Sequence, residues 1–418
     1  SFDVVRRYLE FRGVRVDHVS NVTDIDDQII DRAAREGRSP GEVAAQYEEA
    51  WWSAMDALGV RRPTHVPHAT AYVEQMVSLI AELLAEGTAY ETSDGVYLSV
   101  DKVDGYGLLA HQSLDSLRAG ARVEVGEEKR SPLDFVLWKK AKPGEPTWDS
   151  PWGPGRPGWH TECVVMSLEL LGDGFDLHGG GLDLAFPHHE NERAQAVAWG
   201  RPFARHWVHN GFVMVGADKM SKSLGNFTTL TELLARADGR AYRLLVLRAH
   251  YRSPMNVDAT TVADASESLA RLDALARRFE LDPALAEVPA AEAPARGVDT
   301  AALDAFVERM DDDLDSPGAV AGIFELVRRA NSAADAGDMV TGRTLAVSVA
   351  VLAGALGLQL AGPGGALDEH SAQLVRERDE ARAQRDWAKA DEIRIRLESE
   401  GWVVEDTADG TRLHRRDN

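Results

Sequence analysis

A single cysteine, Cys163, has to serve the whole chain. No internal disulfide can form, and a reducing cytosol is the expected compartment. Positive charge is also scarce, with 46 Lys and Arg against 68 Asp and Glu for a net charge of −22. That excludes a generally cationic nucleic-acid binder but leaves room for confined basic tracks at Arg61 and Arg62, Lys139 to Lys142, and Arg412 with Arg415 and Arg416. Each of these reads equally well as a solvated face. No leader with a charged start and an apolar middle opens the sequence. The longest uncharged run, 345–362, carries three glycines, Ser348 and Gln359, which suits a buried bundle helix rather than a membrane span. At 418 residues the chain exceeds one ordinary core, and roughly two to four domains are expected.

The pattern along the chain begins with an amphipathic helix over 2–11, stopped by Gly13, and a strand-like alternation through Val14, Val16 and Val19. An α/β nucleotide-binding half normally starts with a strand whose loop and following helix hold phosphates, so such a strand is expected ahead of residue 1. Asp24, Asp26 and Asp27 open the next helix, and Ser39-Pro40-Gly41-Glu42 forms a capping box for another. Helices continue to about Glu86. Short β runs between 90 and 148, with turns at Asp94-Gly95 and Pro143-Gly144, predict an insertion between two α/β halves. Strands are expected at 175–178 and 208–214, and helices over 229–247. From 259 to 360 the pattern is almost wholly helical, and a Gly/Pro linker at 362–365 precedes a last helical pair and a short β tail. Residues 283–296, rich in Ala, Pro and Glu, read as an exposed connector. Asp311, Asp312 and Asp313 point apart on a helix and read as a solvated face and cap.

Chemistry concentrates between 158 and 192. Cys163 is followed by a glycine triplet at Gly179, Gly180 and Gly181, and then by His188 and Glu192 at i and i+4, on one helix face. Thiolate, imidazole and carboxylate are the donors zinc accepts, and a tetrahedral site takes a fourth. Taken singly, each feature has a plain alternative. Cys163 suits a small buried hydrophobe, the triplet a turn, a lysine pair a solvated loop, and Trp387 a core aromatic. A zinc hydrolase is a poorer reading, because no glutamate sits between two histidines in an HExxH arrangement.

The segments GWHTEC, FDLHGGGLDLAFPHHENE, DKMSKSLGN and AHYRS, with NVTDIDDQII near the start and RDWAKADEIRIRLESEG near the end, resemble the cysteinyl-tRNA synthetase family over almost the whole chain. The family also begins with a strand, a zinc-ligating cysteine and a HIGH signature, which these 418 residues do not contain. The resemblance implies an α/β fold with a class I Rossmann-like catalytic domain, built on a parallel sheet and carrying an inserted connective domain. A helical bundle and a small C-terminal anticodon-binding module follow. Expected boundaries are 1–89 and 150–258 for the two catalytic parts, 90–149 for the insertion, 259–361 for the bundle and 366–418 for the module.

The implied activity is ATP-dependent conversion of L-cysteine to cysteinyl-AMP, with Mg2+ accompanying ATP, and transfer to tRNA(Cys). One Zn2+ per chain is implied at Cys163, His188 and Glu192, the fourth ligand lying in the HIGH segment; His189 and Glu190 are neighbours rather than ligands. Trp159 and His178 would line the amino-acid pocket. The glycine triplet would approach ATP, Asp183 would read its ribose, and Lys219 and Lys222 of KMSKS would neutralise the departing pyrophosphate. Leu182 stands where the family has serine. Arg382, Trp387, Asp391 and Asp406 match anticodon-binding positions, with arginine and tryptophan suited to splayed bases and aspartates to base amino groups. A cytoplasmic monomer without a membrane partner is expected. A cysteine ligase of mycothiol synthesis and a noncatalytic tRNA-binding paralogue are the alternatives.

Overall fold

Ser39 caps its helix as the sequence predicts: its hydroxyl accepts from the Glu42 amide while the Glu42 carboxylate accepts from the Ser39 amide. The computed structural model describes residues 1–111, 128–215, 218–219, 229–362, 369–407 and 410–415. They fall into two compact units, one of Ser1–Phe2, Arg15–Phe227 and Tyr251–Asn256, the other of Asp3–Val14, Thr228–His250 and Val257–Asn418.

In the first unit the helix Val73–Ala85 buries Val73, Met76, Leu79, Ile80 and Leu83, a stripe of helical period. This stripe shares a core with Val164, Val165, Met166 and Leu168 of the helix Trp159–Leu171 and with Leu98, Leu137 and Trp138 of a four-stranded antiparallel sheet. That sheet runs Ala89–Glu91, Gly95–Leu98, Phe135–Lys140, Gly155–Pro157, so three of its strands supply the short β runs expected over 90–148 and the fourth lies beyond them. Its proline lies in an edge strand, where no ladder donor is missed.

Parallel pairing joins Leu177–Gly181 to His206–Asn210, with Leu177 opposite His206 and Gly181 opposite Asn210. The helix Glu190–Ala198 lies between them in sequence, a βαβ unit. The alternation at Val14 to Val19 makes no ladder; it yields only isolated parallel bridges, Val19 to His65 and Val22 to His68. The strand expected over 208–214 is broken into His206–Asn210 and Val213–Val215. The break falls at Gly211, where an added Cβ would collide with the Ser253 carbonyl.

The second unit is helical from Ala259–Arg278 through Thr300–Asp311 and Ser316–Asp335 to Met339–Ala355. Every residue from Leu345 to Ala355 is buried, which accounts for the long uncharged run as a central bundle helix. No helix among the described residues is long and apolar enough to cross a membrane. Residues 283–296 are more ordered than a loose connector: they form two 3-10 turns, and Ala286 lies close against Gly354. Asp311, Asp312 and Asp313 are exposed at the end of their helix as expected, and the Asp311 carboxylate in addition accepts from the Tyr8 hydroxyl at 2.5 Å and pairs with Arg12 at 2.6 Å. The helices expected over 229–247 are Leu230–Leu234 and Gly239–Leu247, the second starting at a cap formed by Asp238. At the C-terminal end the helices Glu369–Ala383 and Trp387–Ser399 pack with the hairpin Trp402–Thr407/Gly410–Arg415 around Leu374, Ile393, Leu397, Trp402, Val404 and Leu413.

Candidate metal and amino-acid site

Two helices and the kinked segment leading into one of them bring the predicted metal donors together in the first unit. Cys163 sits in the second turn of Trp159–Leu171, and His188 precedes the helix Glu190–Ala198 that carries Glu192. A buried hydrogen bond from the Thr161 hydroxyl to Gln195 Oε1, 2.8 Å, ties the two helices side by side. Sγ of Cys163 lies 3.6 Å from Nε2 of His188, and the same nitrogen lies 3.0 Å from Oε1 of Glu192. A tetrahedral zinc with sulfur at about 2.3 Å and nitrogen and oxygen at about 2.0–2.1 Å would hold these pairs about 3.5 Å and about 3.3 Å apart. The donor set and its spacing therefore fit such an ion. All three donors are buried, and their ligand atoms lie within 4.8 Å of one another.

A second triple, His178, His189 and Glu192, meets the same distance limit. It has no thiol donor, and while His178 Nε2 faces Glu192 Oε2 at 2.9 Å, His189 Nδ1 faces His209 Nε2 outside the triple at 2.8 Å. The triple with the thiol is the better cation site, and His178 anchors the outer oxygen of its carboxylate. Burial works to raise the Glu192 carboxyl, but the His178 and His188 imidazoles hold it well below the usual range. Burial and then Glu192 push the Cys163 thiol far up, a cost that a bound cation reverses because the thiolate is the ligating form. Burial, with the neighbouring His178, His188 and His209 adding to it and Glu192 opposing, holds His189 down to about 3, so it is neutral at physiological pH.

The rest of the pocket follows from these placements. The Trp159 ring, 45% exposed, lies 4.1 Å centroid to centroid over His188 and forms an open wall. The glycine triplet is crowded from within the chain. A Cβ at Gly179 would strike the Phe2 ring, one at Gly180 would meet Leu184 and His189, and one at Gly181 would meet the Asp183 carboxylate. Glycine is required here by the chain's own packing, whatever else approaches. Asp183 is exposed beside the strand end. Glu190, by contrast, is sequestered: its Oε2 accepts from the amides of Leu109 and Ala110 at 2.8 and 3.0 Å, and Asn191 accepts from the Tyr106 hydroxyl at 2.6 Å. The middle of HHENE therefore clamps the insertion rather than binding metal.

Sequence reasoning missed His160, whose Nδ1 lies 2.8 Å from Nδ1 of His188, and Asn21, whose amide donates to Cys163 Sγ at 3.7 Å. His160 could have been found from its i, i+3 relation to Cys163. Asn21 comes from 142 residues away and left no local signal. Of the KMSKS pair, Lys219 is described in its backbone, opposite Met214 in a short hairpin, and Lys222 lies outside the described residues.

In the second unit, Asp406 is held by Arg382 and by the buried Arg378 at 2.7 Å, with Arg394 at 3.7 Å. Those guanidinium groups hold its carboxyl well below the usual range, Arg382 most of all. Trp387 is 59% exposed, so it is not a core aromatic. Asp391 follows it by one turn on the same helix face.

Residues 1–267 match the family described as tRNA synthetases class I (C) catalytic domain, 305–361 the DALR domain, and 365–414 the cysteinyl-tRNA ligase anticodon binding domain. Methionyl-tRNA synthetase of Mycobacterium tuberculosis, solved with methionyl-adenylate, shares the fold with TM-score 0.61 at 16% identity, over 93% of this chain and 91% of that one. Fold and site thus define a class I aminoacyl-tRNA synthetase. The cysteine–tRNA ligase of Heliobacterium modesticaldum is 46% identical over 98% of this chain and 89% of its own, and that of Carboxydothermus hydrogenoformans 44% over 99% and 90%. The chain belongs to the cysteine–tRNA ligase family.

Proposed function

We propose that this cysteine–tRNA ligase selects its amino acid at Cys163, His188 and Glu192, which together hold one Zn2+. The observation that carries the reading is the convergence of three buried donors at zinc-compatible spacing under the exposed Trp159 ring. Zinc bound there supplies a soft, cationic contact for the substrate thiolate, which distinguishes cysteine from serine far better than an apolar pocket could. No editing domain is then needed. In the overall reaction the cysteine carboxylate attacks the α-phosphorus of Mg2+-bound ATP, releasing pyrophosphate and forming cysteinyl-AMP. A terminal ribose hydroxyl of tRNA(Cys) then displaces AMP.

The chain's own residues have separable tasks. His178 keeps Glu192 oriented by facing its Oε2, which would leave Oε1 to the ion. Trp159 walls the pocket and excludes water from the substrate side chain. The Gly179–Gly181 backbone and Asp183 offer an edge and a carboxylate to the adenosine ribose, and Lys219 and Lys222 offset charge on the leaving pyrophosphate. Arg382, Trp387, Asp391 and Asp406 bind the anticodon, which favours tRNA over an amino-sugar acceptor. The domain limits 1–89, 90–149, 150–258, 259–361 and 366–418 accommodate these tasks. Zinc content and cysteine-dependent ATP/pyrophosphate exchange, measured on the full-length protein and on Cys163→Ser, test the reading. Equal zinc content and an equal preference for cysteine over serine in both would refute it.

A further inference from the structure

One histidine of the pocket is not a ligand, yet touches one. His160 lies one turn before Cys163, and its Nδ1 stands 2.8 Å from Nδ1 of His188. His188 turns its other nitrogen, Nε2, toward Cys163 Sγ and Glu192 Oε1 at 3.6 and 3.0 Å. A neutral imidazole has one N–H and one lone pair, so two facing Nδ1 atoms at this distance share a single proton. Nε2 of His188 can give its lone pair to a cation only if the proton sits on its Nδ1. That N–H then donates to His160, whose own proton must be on Nε2.

From this geometry we infer that His160 is a positioning residue, which fixes His188 in the Nδ1–H tautomer and aims its Nε2 at the metal position. The ring of His160 is itself held in place: Phe135 meets it edge-on at 5.5 Å and 86°, and Trp159 stacks on it at 5.7 Å and 27°. A freely turning imidazole would leave both tautomers of His188 open; this one does not. The inference rests on the metal reading above and extends it by one shell.

The test compares His160→Leu, which removes the acceptor, with His160→Asn, whose Oδ1 can stand where Nδ1 stands. Zinc affinity of the full-length protein is read by competition with a chromophoric chelator, with His188→Ala as control. The leucine variant is expected to bind zinc about 10–100-fold more weakly, and the asparagine variant within a few-fold of the parent. Parental affinity in the leucine variant, or equal losses in both, overturns the inference. A parent that binds zinc no better than His188→Ala overturns the metal reading instead, so the two failures are distinguishable. Histidine nitrogen NMR of the zinc-loaded parent gives an independent answer that needs no variant: a proton on His188 Nδ1 supports the assignment, and a bare His188 Nδ1 refutes it.

Discussion

Oε2 of Glu192 lies 2.9 Å from Nε2 of His178, so the carboxylate that faces the metal position with one oxygen is anchored through the other. His178→Ala should therefore weaken zinc binding although His178 is outside the donor set. Loss of a partner to a ligating carboxylate costs about 10–100-fold in affinity. Chelator competition checks the value; an unchanged zinc affinity would show that the 2.9 Å contact does not support the ligand.

Glu190 and Glu192 make opposite predictions from the same helical turn. Glu192→Gln should release zinc, because the charged donor is lost. Glu190→Ala should keep zinc while freeing the loop at 105–110, since two part-buried amides lose a charged acceptor, each such bond being worth about 1.5–3 kcal/mol. Metal analysis and limited proteolysis read the two outcomes separately. Zinc loss in Glu190→Ala without new cleavage near residue 108 would reverse the assignment.

Much of this was legible in the sequence, and the rest was hidden for physical reasons. Ser39 to Glu42, the buried run within Met339–Ala355 and the i, i+4 pair His188/Glu192 all announce themselves because local periodicity and capping decide them. Gly211 was unreadable, because its break in the strand comes from Ser253, forty-two residues on. The partners of the exposed Asp311 were hidden for the same reason: Tyr8 and Arg12 lie about 300 residues away in sequence. The candidate site divides in the same way, with the three donors visible in their motifs while Asn21 and the engaged His178 depended on tertiary contacts.

The KMSKS lysines should act on the chemical step alone. Lys222→Ala is expected to slow ATP/pyrophosphate exchange on the order of 10²-fold or more while leaving cysteine affinity near parental, since its charge matters as pyrophosphate departs. Equal exchange rates would remove the residue from this role.

The Asp406 cluster carries a pH signature. Its folded carboxyl titrates below the unfolded value, so its stabilising contribution is complete above the unfolded pKa of about 3.9 and is lost as pH falls through the folded one. In that acid window the unfolded chain binds more protons than the folded one. The melting-temperature gap between the parent and Asp406→Asn should accordingly be flat from neutral pH to about 4 and narrow below it. A gap that widened in acid would show that Arg382 and Arg378 do not hold the carboxylate ionised.

Trp387 separates binding from folding in the C-terminal module. Its ring is 59% exposed, while the module's core is made by Leu374, Ile393, Leu397, Trp402, Val404 and Leu413. Truncating an exposed side chain of this kind changes stability by no more than about 0.5 kcal/mol. A stacked base, by contrast, is worth about 1–3 kcal/mol, or roughly 5- to 150-fold in affinity. Trp387→Ala should then raise the KM for tRNA by that factor, with the melting temperature and cysteine-dependent ATP/pyrophosphate exchange unchanged. Trp402→Ala is the contrasting variant: Trp402 is buried, its removal costs about 3–5 kcal/mol of core stability, and the whole module should loosen. If Trp387→Ala charged tRNA with parental KM, the exposed ring would have no part in anticodon binding.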